Sequence, residues 1–255
     1  MKRLLLITFL LFITGGVMAL PERVVDARSG VEIIFVTEPG MFPSNWYGGN
    51  IKGNAVSLAE SERQRSVDIL KKAMAKYPVE VLKKSLKKIY VLQDLNFFGV
   101  GYGGTNTDYK VYVVNEGVAN GYDDDFIEKL FHAEYSSVLF NMYPDFFNSK
   151  AWQKMNPDGW KYTGTTGAEA IRDGESSESI TDKYNSQGFL NQYSQSTLEN
   201  DFNAFAKNIF CCDETFWNTV DKYRGLKVKL FLAVDFYHKI NPAFTEDYFK
   251  KLSKE

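Results

Sequence analysis

An α+β fold is expected, because strand-like runs gather in the first half of the chain and helix-like runs fill the second. The two kinds of element do not alternate as βαβ units would, so a mixed N-terminal sheet with helices, followed by a helical C-terminal half, is the predicted architecture. Aromatic residues make up 15% of the sequence, enough for a substantial packed core.

In chain order, VEIIFVTEP from Val31 is a β-branched run closed by Pro39 and reads as a strand. The loop MFPSNWYGGN follows. Ser57 and Glu60 stand at capping-box spacing, and Leu58, Arg65, Ile69 and Met74 continue a long helix towards Tyr77. After Pro78, VEVLKKSLKK is a short amphipathic stretch; IYVLQDL and YKVYVVNEG read as two more strands. The intervening FFGVGYGGTNT lacks the Gly-Lys-Ser/Thr ending of a phosphate loop and precedes a strand, so it reads as a hairpin or bulge that glycine permits. The segment DDDFIEKLFHAEYSSVLFNMY opens with three acids and stops before Pro144, as a helix should. A polar, glycine-bearing segment runs from about 156 to 186. Four further helices are expected in STLENDFNAFAKNIF, FWNTVDKY, LKVKLFLAVDFYHKI and TEDYFKKL.

The formal charge is −2, and the densest basic run, KKSLKK from Lys83 to Lys88, reads as the wet face of a helix; no nucleic-acid partner is expected. Residues 1–19 read as a signal peptide: Lys2 and Arg3, an apolar run broken by Gly15 and Gly16, then Val17-Met18-Ala19 as small–x–small. Cleavage there would leave residues 20–255 as one domain, without a stable transmembrane segment, in the periplasm or outside the cell. The two cysteines, Cys211 and Cys212, are adjacent and cannot easily bond to each other, so no disulfide framework is expected.

The stretch FHAEYSSVLF places a carboxylate where one is unwelcome. With Ile127 at zero on a helical wheel, Phe131 falls at about 40°, Val138 at about 20° and Glu134 at about 340°. Glu134 thus lies within the apolar stripe, where it has to be paired, protonated or at the wall of a cleft. His132 falls roughly 160° away from it, so the two cannot easily serve one small site on a regular helix. Downstream, Leu198, Phe202, Phe205 and Ile209 make a stripe with Asp201 on one shoulder and Glu199 on the other; a helix N-terminus also favours acids there.

The order of these parts, with A-E-Y-S-S on one helix and GFLNQYSQSTLENDF ahead of the next, resembles the zinc-binding metallopeptidases related to the substrate-import-associated zinc metallohydrolases, in the zincin class that includes anthrax lethal factor. The resemblance runs from about Val31 to Leu252. It implies a zincin-like fold in which active members carry H-E-x-x-H: two histidines one turn apart hold zinc, and the glutamate between them polarises a bound water. Carried over, the general-base position is Glu134, the histidine positions are Ala133 and Ser137, and the third-ligand position is Asp201, with Glu199 as the register alternative. Alanine has no ligand atom and a neutral serine hydroxyl is a poor zinc donor. A two-histidine centre would have to recruit both His132 and His238, the only histidines present.

The resulting expectation is a catalytically degenerate, exported binding or interaction module with no cofactor, whose partner is a peptide, a glycan or an envelope protein. Trp152, Trp160, Tyr162 and Tyr193 are its aromatic contact candidates, with core packing as their other reading. The alternative is an active zinc peptidase with an atypical site, using Glu134 as base and His132 among its ligands.

Overall fold

The computed structural model describes residues 20–164, 166–211 and 214–252; the expected signal peptide at 1–19, and Cys212, lie outside them. The fold is α+β, with a mixed sheet in the first half and a mostly helical second half. Among the described residues no helix is long and apolar enough to cross a membrane.

The first half comprises β1 (Arg23–Val25), β2 (Glu32–Ile34), β3 (Asn54–Ser57), α1 (Glu60–Ala75), α2 (Val79–Ser85), β4 (Lys88–Phe97), β5 (Val100–Gly101), β6 (Gly104–Thr107), β7 (Lys110–Val114) and α3 (Asp124–Met142). The strands lie in the order β1-β2-β4-β7-β6, with β3 and β5 also paired to β4. The β2–β4 and β4–β7 pairs are parallel, whereas β6 runs antiparallel to β7 at one end of this order.

Side chains alternate across the sheet with a period of two. Ile33, Ile89, Val91, Val111 and Val113 enter the core on the helical side. Ile34, Tyr90, Leu92, Tyr112 and Val114 pack on the other side with Met41 and Phe42 of the loop after β2. In β4 the parity then changes, since Leu95 and Phe97 share the second face with Tyr90 and Leu92. The register explains it: Ser57 pairs with Leu92 but Val56 pairs with Asp94, so β4 carries one extra residue, a bulge.

The capping box expected at Ser57 is not formed. Ser57 ends β3 and its hydroxyl accepts from the Thr37 amide, while α1 begins at Glu60 after Ala59, without a side-chain cap. Strand pairing has claimed the residue that local spacing assigned to the helix.

The second half contains α4 (Ser149–Gln153), α5 (Ala168–Arg172), α6 (Asp182–Asn185), α7 (Leu198–Cys211), α8 (Glu214–Lys222), α9 (Arg224–Ile240) and α10 (Glu246–Leu252). Helix α3 is central, packing against β6 and β7, α1 and α7. That position decides which of its polar residues reach solvent.

Candidate functional site

Helix α3 starts where its sequence requires. The Asp123 carboxylate accepts from the Phe126 amide at 2.8 Å, and Asp124 and Asp125 complement the helix dipole in the first turn. Ile127, Phe131 and Val138 are buried as the wheel requires, but so are Glu128, His132, Ser136 and Ser137. The apolar stripe describes one side of a helix that is covered on several.

Glu134 stands at a cavity of about 440 Å³ lined by the start of β6, by α3 and α7, and by the segments around 171–178 and 191–193. Helix α7 contributes Asn200, Asn203, Ala204 and Lys207, at helical spacings that put them on one face. From β6, Asn106 donates to Glu134 Oε2 at 2.9 Å. Gly104 is needed beside it: a Cβ there would lie 2.8 Å from Glu134 Cγ and 3.0 Å from the Tyr112 carbonyl oxygen. Burial pushes the Glu134 carboxyl up to about 7 against the Asn106 bond, and Glu199 and Glu178 push the same way. Lys207 opposes this, but its ammonium is engaged by Glu178 at 2.6 Å.

The residues expected around a metal are distributed as follows. Ala133 lines the cavity. Ser137 is fully buried, and its hydroxyl accepts from Asn203 Nδ2 at 2.8 Å, while Asn203 Oδ1 accepts from Ser136 at 2.6 Å. The α7 residue that meets Ser137 is therefore Asn203. Asp201 is directed elsewhere: it is fully buried, and its Oδ2 accepts from Lys229 at 2.7 Å, Trp152 Nε1 at 2.8 Å and Tyr162 at 2.8 Å. Glu199, the register alternative, does not line the cavity but is close enough for its charge to act on Glu134.

His132 is on the other side of α3, as the wheel placed it, and it is not solvated. Its Nδ1 lies 2.8 Å from the Tyr77 hydroxyl, its ring stacks on Phe210 at 4.8 Å, and its Nε2 is 3.5 Å from Glu128 Oε1. Burial pushes its pKa down to about 4 despite Glu128, so the ring is neutral near pH 7. Burial opposes ionisation of Glu128 as well, yet His132 and Lys76 hold its pKa down to about 2. Ligand-type atoms of Glu128, His132 and Cys211 fall within 4.8 Å of one another, but the Lys76 ammonium, 2.5 Å from Glu128 Oε1, already supplies the countercharge. His238 Nδ1 donates to the Phe244 carbonyl oxygen at 3.2 Å, near the chain end.

Of the four aromatic candidates, Tyr193 lines the cavity. Trp152 and Tyr162 hold Asp201, and Trp160 packs against Phe189 beside a separate polar cavity of about 230 Å³. Reading the sequence missed Asn106, Asn203 and the Lys207–Glu178 pair. The spacing of Asn200, Asn203 and Lys207 was a usable signal for a polar face on α7, whereas nothing local tied Asn106 to Glu134.

No family model matches the chain, and no curated protein sequence matches it. Among solved structures, the crystal structure of a "putative zinc-binding metallo-peptidase" from Bacteroides caccae aligns with 79% of this chain and 78% of that one, at 15% identity and a TM-score of 0.44. A likeness of that size carries no argument about activity.

The donor set can be tested against zinc directly. Of the three expected ligand positions, 133 offers a methyl group and 137 a neutral hydroxyl, and the carboxylate of Asp201 is already engaged by Lys229, Trp152 and Tyr162. Those residues do not fit the metal.

Proposed function

We propose that the protein is an exported, zincin-like binding module, catalytically degenerate, whose cavity beside Glu134 receives a segment of a peptide. One observation carries this reading. Asn203, which lines the cavity with Glu134, is hydrogen-bonded to Ser136 and Ser137, so this part of the wall is held by neutral groups bonded to one another rather than by metal ligands. The cavity nevertheless persists, with Gly104 leaving room for Glu134 at its wall.

A peptide suits this cavity because β6 is a terminal strand whose first residue lines it, and an extended chain can add to such an edge through main-chain hydrogen bonds. Asn200 adds a carboxamide oxygen to that lining. The alternative reading, a zinc peptidase with Glu134 as base, needs His132 as a ligand, and that ring is tied to Tyr77 and Phe210 on the opposite side of α3.

The test is elemental analysis and a peptide-hydrolysis assay on protein purified without chelator, with equilibrium binding to immobilised peptide arrays. The expected result is sub-stoichiometric zinc, no cleavage, and retention of a peptide subset. Stoichiometric zinc with cleavage abolished by Glu134→Gln contradicts the reading.

A further inference from the structure

Resting on the binding-module reading, we infer that the cavity selects a basic group, a guanidinium or ammonium on an aliphatic stem, which lies against Glu134. The first reason is an unsatisfied charge. Glu134 Oε2 accepts from Asn106, whereas Oε1 has no donor among the described residues. The cavity's lysine, Lys207, is engaged by Glu178, so the wall holds a carboxylate without a cation of its own.

The second reason is the balance of charge around Glu134. From α7 come Glu199 and Lys207, from the 173–181 segment Glu178, from β6 the neutral Asn106, and across the cavity Tyr193. Carboxylates outnumber ammoniums in this set, so an anionic ligand is repelled and a neutral one leaves Glu134 unrelieved. A cation that enters is attracted by the whole group, in a site partly withdrawn from water, where such attraction exceeds its surface value.

The third reason is the remaining wall. Tyr102, Tyr122, Phe126 and Tyr193 line the cavity beside Leu130. Aromatic rings attract guanidinium and ammonium groups, and apolar side chains cover the methylene stem that carries them. Carboxylate, aromatic rings and an apolar wall together match an arginine or lysine side chain better than a sugar or an acidic residue.

Binding is coupled to a proton. Free Glu134 is largely protonated below pH 7 and ionises when the basic group arrives, so affinity rises with pH across that range.

The experiment is isothermal titration of the full chain with N-acetyl-glycyl-arginyl-glycinamide, its citrulline counterpart, and agmatine. The arginine peptide is expected to bind at least about tenfold tighter than the citrulline peptide at pH 8, and about tenfold tighter at pH 8 than at pH 6, as one ionisation near pH 7 requires. Glu134→Gln, with its fold checked by circular dichroism, should bring both peptides to the same affinity. Glu199→Gln should weaken arginine-peptide binding by about twofold, as a second and milder variant expected from a screened charge. Agmatine binding as tightly as the peptide supports the basic-group site and identifies a small free guanidino compound, rather than a peptide, as its source. Equal affinity for arginine and citrulline peptides, unchanged by Glu134→Gln, overturns the basic-group inference while the binding-module reading stands. Cleavage of either peptide overturns that reading instead.

Discussion

The two sides of helix α3 treat their acids in opposite ways. On the side towards α1, Glu128 meets Lys76 at 2.5 Å, Lys72 at 3.2 Å and His132 at 3.5 Å, and its pKa is held down to about 2. On the side towards β6, six residues further along, Glu134 has one carboxamide donor and no ammonium of its own, and its pKa is pushed up to about 7. Both carboxylates are withdrawn from water, so burial alone does not separate them. Countercharge does. The saturated side is structural, whereas the unsaturated side borders a cavity and keeps its binding capacity for something else.

The largest expected effect lies on the saturated side. Glu128→Ala leaves the Lys76 ammonium beside the neutral His132 without its carboxylate, and loss of one partner of such a buried pair costs about 3–5 kcal/mol. Urea unfolding at pH 7 measures it, and a loss below about 1 kcal/mol would erase the contrast between the two sides.

Glu134→Gln should act in the opposite direction and depend on pH. The folded-state pKa of about 7 exceeds the ordinary 4.5, so between those values the folded chain holds a proton that the unfolded chain has released. Stability therefore falls as pH rises from about 4.5 to 7, by up to about 3 kcal/mol. The glutamine variant should lack this fall: as stable as the parent at pH 4.5 and more stable at pH 8. On the other side the slope has the reverse sign. The depressed pKa values of His132 and Glu128 contribute stability that is lost as pH falls, from 6.5 towards 4 for His132 and from 4.5 towards 2 for Glu128. Paired unfolding curves of the parent and Glu134→Gln from pH 2 to 8 separate the two slopes.

A smaller effect sharpens the geometry at the cavity. Gly104→Ala puts a methyl group 2.8 Å from Glu134 Cγ and 3.0 Å from a backbone oxygen, an overpacking that costs about 1–3 kcal/mol and displaces the carboxylate. Thermal unfolding gives the cost, and loss of arginine-peptide affinity reports the displacement. Smallest is Ser137→Ala. It removes the 2.8 Å bond from Asn203 and costs about 1 kcal/mol in urea unfolding.

Particular residues show how much of this was legible in the sequence. Glu134 and His132 were separated correctly by helical arithmetic, because both belong to one element whose geometry is fixed. Strands β2, β4 and β7 announced themselves by alternation or β-branching, whereas β1 and β3 carry no such run and went unread. Ser57 misled because its capping spacing is local, while the β3–β4 pairing that claims it joins residues far apart in the chain. Asp201 stood at the expected ligand position by motif order, but Lys229 lies on α9 and the 2.7 Å pairing between them depends on how α7 and α9 pack. Asn203 and Asn106 escaped notice for the same reason. Their significance comes from meeting α3, and a neutral side chain carries no sign of its partner until the fold supplies one.

The most direct test of this division of α3 is a ¹³C NMR pH titration of the glutamate side-chain carboxyls, with the Glu134 resonance assigned by its absence in Glu134→Gln. The expected result is a Glu134 midpoint near pH 7, while the Glu128 resonance stays at its ionised position down to about pH 3. A Glu134 midpoint near the ordinary 4.5 would contradict the account.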